Sequence, residues 1–210
     1  MTDYAGFGEK VNHIFEEVTK PAKTVDLKRE NANINGDAPM GAMLQYGANT
    51  AKEWNLDNLV DPYIAKLHRE GWIHIHDLDF YAWTTTCCQI HLKKLLQKGF
   101  STGHGYLRPP KSIGAYAALA AIAIQSEQSD QHGGQSIADF DYAMADGVRF
   151  SYEKHFADAK EIMTDMSRDY DEAWCNEYAL KKTRRDTYQA MEGLIHNLNT
   201  MQSRAGAQVE

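Results

Sequence analysis

Cys87 and Cys88 are the residues with the most pointed chemistry in this chain. A thiol can serve as nucleophile, metal ligand or hydrogen-atom donor. The pair lies in Trp83–Ile90 (WTTTCCQI), a β-branched and aromatic run that reads as a strand. Strand neighbours point to opposite faces, so at most one of the two thiols faces a given cavity. A disulfide between adjacent residues would be strained. Two readings stand: a buried cysteine acting as a small hydrophobe, or a single redox-active thiol at the centre of a sheet or barrel.

His74-x-His76-Asp77 is the second constellation. The run Trp72–His76 alternates at period 2, a short strand signal. Residues i and i+2 share a strand face, so both imidazoles could converge on a metal. The pattern is a partial match to the H-x-H openings of metal-dependent hydrolases, but Asp79 stands where a further histidine is required. The other reading is a pair of strand histidines bonded to backbone carbonyls or to Asp77 and Asp79. The third constellation is His132-Gly133-Gly134-Gln135-Ser136. Its glycines permit positive φ and close backbone approach, and Ser136 or Asp139 could cap the next helix. Such a turn can present amides to phosphate, although a bare glycine turn is the simpler explanation. Pro109-Pro110-Lys111-Ser112 is a similar cap with a lysine near a helix start, and Cys175 beside Trp174 reads as packing. No P-loop, G-x-G-x-x-G or G-x-S-x-G is present, so nothing points to kinase or serine hydrolase chemistry.

The elements around these residues are mostly helical. Tyr4–Lys20 places Phe7, Val11, Ile14 and Phe15 at helical spacing and ends at Pro21. Asn31–Gly41 is dense in Asn, Gly and Pro and predicts a loop. Met40–Trp54 predicts a helix. Asp61 and Pro62 open another in N-cap and first-turn order, stopping at Gly71. Gly99–Pro110 predicts a loop, Ser112–Gln125 a largely buried Ala-rich helix, and Gln131–Ser136 a glycine turn. Asp139–Lys160, Asp171–Lys181 and Arg184–Met201 predict further helices. The expected fold class is α/β, helix-dominated.

The 210 residues carry 22 Lys plus Arg against 29 Asp plus Glu, a net charge of −7. Such acidity is a poor prior for nucleic-acid binding. No apolar run reaches the ~18 residues needed to span a bilayer, and Met1–Glu16 lacks a signal-peptide apolar region. Three cysteines make neither a disulfide framework nor a zinc set. The chain is expected to be a cytoplasmic protein with no membrane and no nucleic-acid partner.

Several stretches, taken in order, resemble the anaerobic (class III) ribonucleoside-triphosphate reductases, a glycyl-radical enzyme family. They are Arg29–Ile34, Ile73–Tyr81, Thr86–Gln89, Gly103–Gly105 followed by Arg108–Ser112, His132–Gln135, and Gln189–Glu192 through Ile195–Asn197 to Ser203–Gln208. Together they span residues 29 to 208, most of the chain. Each is weak alone; the ordered set is specific.

The resemblance implies reduction of ribonucleoside triphosphates to deoxyribonucleoside triphosphates. It implies an activase carrying an iron–sulfur cluster and S-adenosylmethionine, a glycyl radical, and formate as reductant. It implies a partial segment of a ten-stranded α/β barrel, with residues 1–25 as a leading helix, 26–98 as loop, helices and first strands, and 99–210 as a helical region. By this resemblance Cys87 is the strand cysteine that faces substrate, with Cys88 pointing away, and burial would keep the thiol neutral. His132, Gly133, Gly134 and Gln135 belong to the substrate region. The family's effectors, deoxynucleotides or ATP, bind at a helical dimer interface. There Ser151-Tyr152-x-Lys154-His155 suggests Lys154 as a phosphate contact, and a homodimer is expected.

The thiyl-bearing cysteine, the glycyl-radical loop and the C-terminal structural zinc site all fall beyond Val209–Glu210, and Cys175 matches none of them. The N-terminal regulatory domain of many members is expected to be absent as well, and the chain alone is expected to hold no cofactor or metal, to be inactive, and to need the remainder of the reductase. A non-catalytic effector-binding and dimerisation module, built on the Ser112–Gln125 and Asp139–Lys160 helices, is the alternative. A metal-dependent hydrolase using His74, His76 and Asp77 is a minor one.

Overall fold

The computed structural model describes residues 4–19, 39–82 and 86–200. The motifs Arg29–Ile34 and Ser203–Gln208, and the loop expected before Pro39, lie outside the described residues. The chain divides into two compact units. Among the described residues, one holds those up to Cys88 together with Ser129–Gly134; the other holds 89–128 and 135–200.

The first unit is built on three helices: α1 (Tyr4–Thr19), α2 (Pro39–Asn58) and α3 (Pro62–Arg69). The start of α3 is the one its sequence predicts. Pro62 occupies the first turn, and the Asp61 carboxylate accepts from the amides of Tyr63 (2.9 Å) and Ile64 (3.4 Å). Leu56, Val60, Ala65 and Leu78 close a small core. Asn55 is buried at its edge, and its Nδ2 donates to the Leu78 carbonyl at 2.7 Å. That bond satisfies a polar group which burial would otherwise penalise, and it ties the 3-10 turn Leu78–Phe80 to α2.

Trp72–His76 is not the strand that its alternation predicts. The amides that a strand partner would need are taken locally. Trp72 N–H donates to Leu67 O at 2.9 Å and Ile75 N–H donates to His68 Nδ1 at 3.1 Å. The segment therefore caps α3, and Trp72 is left 76% exposed.

Strand β1 (Thr86–Gln89) lies in the expected run, and it pairs with β4 (His132–Ser136), where the glycines predict only a turn. Glycine in a strand often marks a close backbone approach, and Gly133 lies directly against Cys87.

The second unit contains α4 (Leu92–Lys98), the short antiparallel pair β2 (Phe100–Ser101) and β3 (Tyr106–Leu107), α5 (Ile113–Asp130), α6 (Phe140–Asp165) and α7 (Glu172–Thr200). The hairpin occupies the stretch expected to be loop. Ala117, Ala120 and Ala121 of α5 are buried with Leu92, Leu96, Ala143, Met144 and Leu194. Their small side chains allow close packing, and Ser151 Oγ accepts the Ile113 amide at 2.9 Å. α7 is one helix where two are expected. No glycine or proline interrupts Lys181–Arg185, and Thr183 is buried in the middle of it. Cys175 packs with Ala159 and Met163, as its reading as core predicts. No helix among the described residues is long and apolar enough to cross a membrane.

Candidate active site

A cleft of about 980 Å³ opens in the first unit. Its walls include His13 of α1, Gln45, Asn49 and Glu53 of α2, His68 of α3, the segment His74–Asp79, Cys87, and His132–Gly134. Parts of three motifs far apart in sequence thus meet in one place: His74–Asp79, Cys87 and His132–Gly134.

The helices around the cleft are held by a charge network. Lys10 Nζ lies 2.7 Å from Asp57 Oδ2 and 3.2 Å from Glu53 Oε2. Arg69 Nη2 lies 2.8 Å from Asp57 Oδ1 and 3.0 Å from Glu53 Oε2. One lysine of α1 and one arginine of α3 therefore share two carboxylates on α2. Desolvation opposes ionisation of Asp57, but hydrogen bonds from Lys10 and Arg69 outweigh it and hold the carboxyl below its ordinary value. The same carboxylates raise Lys10 and Arg69 against their own desolvation.

Cys87 adopts φ +60°, the left-handed region that a non-glycine residue seldom enters. Opposite it Gly133 has φ +94°. A side chain on Gly133 would sit 3.0 Å from both the Cys87 amide nitrogen and its Sγ. The thiol therefore rests on bare backbone. Cys87 is exposed to the cleft, not buried as expected, while Cys88 is half-buried.

His132 precedes that glycine. Its Nε2 lies 3.1 Å from Asp77 Oδ1, and its ring stacks on Phe80 with centroids 4.1 Å apart and planes 11° from parallel. Asp77 itself has φ +50°, which aspartate tolerates better than most residues. His76 Nε2 reaches the same carboxylate oxygen at 3.5 Å from a far more exposed position. His68, His74 and His76 form a row with centroid spacings of 5.7 and 5.8 Å. Among the described residues no group of three or more His, Cys, Asp or Glu is placed to hold a metal ion. The role of Phe80 and the pairing of Asp77 with His132 were not foreseen from the sequence. The one signal available was that both residues fall inside the Ile73–Tyr81 motif.

The other expected site residues belong to the second unit. Gln135 has both side-chain amide atoms buried without a hydrogen-bond partner. Lys154 is exposed on α6 and lines a separate cleft of about 480 Å³ with Ser112, Gly114, His155, Gln189 and Asn197. His155 Nε2 there pairs with Asp186 Oδ2 at 2.6 Å.

The family profile described as anaerobic ribonucleoside-triphosphate reductase matches residues 30–210. Relatives with that same description occur in Enterobacteria phage T4, Haemophilus influenzae and Escherichia coli. The phage protein is 33% identical over 184 residues, 86% of this chain and 29% of the relative. The Haemophilus protein is 29% identical over 197 residues, 91% of this chain and 27% of the relative. The Escherichia protein is 29% identical over 203 residues, 94% of this chain and 27% of the relative. The chain thus spans under a third of the length of the curated relatives it matches.

Proposed function

The chain belongs to the anaerobic ribonucleoside-triphosphate reductase family, and on that premise we propose that it supplies part of the catalytic domain of a longer cytoplasmic reductase. The reaction is the reduction of ribonucleoside triphosphates to deoxyribonucleoside triphosphates. The ribose loses a hydroxyl as water and gains hydrogen, and formate, oxidised to carbon dioxide, supplies the electron pair. Cys87 is the thiol of this chain that donates hydrogen at the ribose. β1 and β4 are two strands of a ten-stranded α/β barrel, and the radical-bearing elements, the structural zinc and the iron–sulfur activase belong to other parts of the assembly.

The observation that supports this reading best is the exposure of Cys87 in a cleft also lined by His74–Asp79 and His132–Gly134, from two of the other motifs. Gly133 and Gly134 leave room for a substrate to approach the backbone. The test is Cys87→Ser in the full-length reductase with activase, S-adenosylmethionine and formate. Deoxynucleotide formation should vanish with the circular dichroism spectrum unchanged, and Cys88→Ser should stay near wild type. Wild-type turnover in Cys87→Ser would refute the assignment. The 210-residue chain alone should show no turnover.

A second reading concerns the second unit. The cleft beside Lys154, at the start of α5, suits the phosphates of a deoxynucleotide or ATP effector at a homodimer interface. Calorimetric titration with deoxynucleoside triphosphates, alongside sedimentation, tests it. A monomer indifferent to all of them refutes it.

A further inference from the structure

We infer that Asp77 is a positioning residue for the Cys87 thiol and acts through His132. This rests on the reading of Cys87 as the site thiol, but it concerns residues which that reading leaves without a role.

The argument follows the chain from the carboxylate to the sulfur. An ionised carboxylate can only accept, so the short Asp77–His132 contact requires a proton on His132 Nε2. That bond fixes the ring edge, and the Phe80 stack fixes the ring plane. Both restraints come from one four-residue segment, Asp77–Phe80, whose Leu78 is anchored through its carbonyl to buried Asn55. The clamp therefore has a firm base. The next residue along β4 is Gly133, whose backbone stands against the Cys87 amide and Sγ. A single peptide link separates the clamped ring from the surface on which the thiol rests. Cys87 and Gly133 both hold positive φ, a costly conformation for Cys87 that persists only when the surroundings enforce it. The Asp77–His132 bond is that enforcement on the β4 side. His76 is no substitute: it is 3.5 Å from the same oxygen and its side chain is 81% exposed.

The test measures alkylation of each cysteine in the 210-residue chain by iodoacetamide, resolved to the residue by fragment mass spectrometry. Asp77→Ala releases His132 and should change the Cys87 rate about threefold or more, as the thiol loses its fixed place against Gly133. The rate at buried Cys175 and the melting temperature of the second unit should not change. Asp77→Asn keeps an acceptor oxygen for His132 and should restore a rate close to wild type. A Cys87 rate unmoved in Asp77→Ala overturns the inference. So does a rise shared equally by Cys87, Cys88 and Cys175, the mark of general loosening. If Asp77→Ala does not fold, ¹⁵N spectra of the wild-type imidazoles decide: the inference requires the Nε2–H form of His132, and a neutral Nδ1–H form overturns it. Alkylation reports geometry whatever reaction Cys87 serves. Loss of the reductase assignment would leave this result standing, and the reverse also holds.

Discussion

The Cα of Gly133 approaches Cys87 so closely that a methyl group there would stand 3.0 Å from the thiol sulfur and 3.0 Å from the Cys87 amide nitrogen. Gly133→Ala meets two penalties at once. Its φ of +94° is strained for any L side chain, and the new Cβ presses on backbone that cannot swing aside. The expected cost is about 1–3 kcal/mol to the first unit, or a displaced Cys87. Denaturant titration gives the first, and the alkylation rate of Cys87 gives the second. Gly134, with nothing within 4 Å of its Cβ position, should accept alanine at little cost.

The Lys10–Asp57–Arg69 network makes stability depend on pH in a known direction. The folded pKa of Asp57 is depressed below its ordinary 3.8. Its contribution is therefore complete above that value and is lost as pH falls through the folded pKa. Asp57→Asn should lower stability at neutral pH by about 1 kcal/mol, as partly exposed ion pairs do. The gap between variant and wild type should close below pH ~3.8. Melting curves across that range check it, and a constant gap contradicts it. Lys10 runs the opposite way: its raised pKa makes its contribution complete below 10.5 and lost as pH rises through the folded value.

Gly147 of α6 faces the ring of Tyr116 on α5. A Cβ at Gly147 would come within 2.7 Å of Tyr116 Cγ. Tyr116 is buried at 3% exposure, so its ring has nowhere to move. Alanine gains ~1 kcal/mol in helix propensity, whereas overpacking costs about 1–3 kcal/mol. Gly147→Ala should therefore be net destabilising, read as a lower urea midpoint.

Thr183 offers the reverse case. It is 5% exposed and its Oγ1 has no hydrogen-bond partner. Valine has the same shape and a similar helix propensity. Thr183→Val should raise stability by about 1 kcal/mol by removing a buried unpaired hydroxyl. Thr187, one turn on, donates to the Thr183 carbonyl at 2.8 Å, so Thr187→Val should bring no such gain. Thermal melts of the two variants side by side are sufficient.

What could be read from the sequence was what neighbouring residues decide. The Asp61–Pro62 start of α3 and the alanine-rich run of α5 depend on a few adjacent side chains, and both stand where expected. Trp72–His76 alternates like a strand, yet Leu67 and His68 capture its amides, a competition that periodicity does not register. His132–Ser136 becomes strand only because β1 lies beside it. Parts of three of the ordered motifs line the cleft. The motifs did not reveal the Asp77–His132 contact, since the two are 55 positions apart and their pairing is a product of folding. The exposure and left-handed backbone of Cys87 were hidden for the same reason.

Asp186 stands at the middle of α7, 14 residues from Glu172 and 14 from Thr200, and is gripped there by His155. An unbroken helix of 29 residues is about 43 Å long, with arms of about 21 Å on either side of that grip. Both arms are also packed, Cys175 against Ala159 and Met163 and Leu194 into the core around α5. A tilt of about 3° at Asp186 would swing each tip through about 1 Å, in opposite directions. Two helices, broken at Lys182, would have absorbed such a tilt at the joint; one helix carries it from end to end.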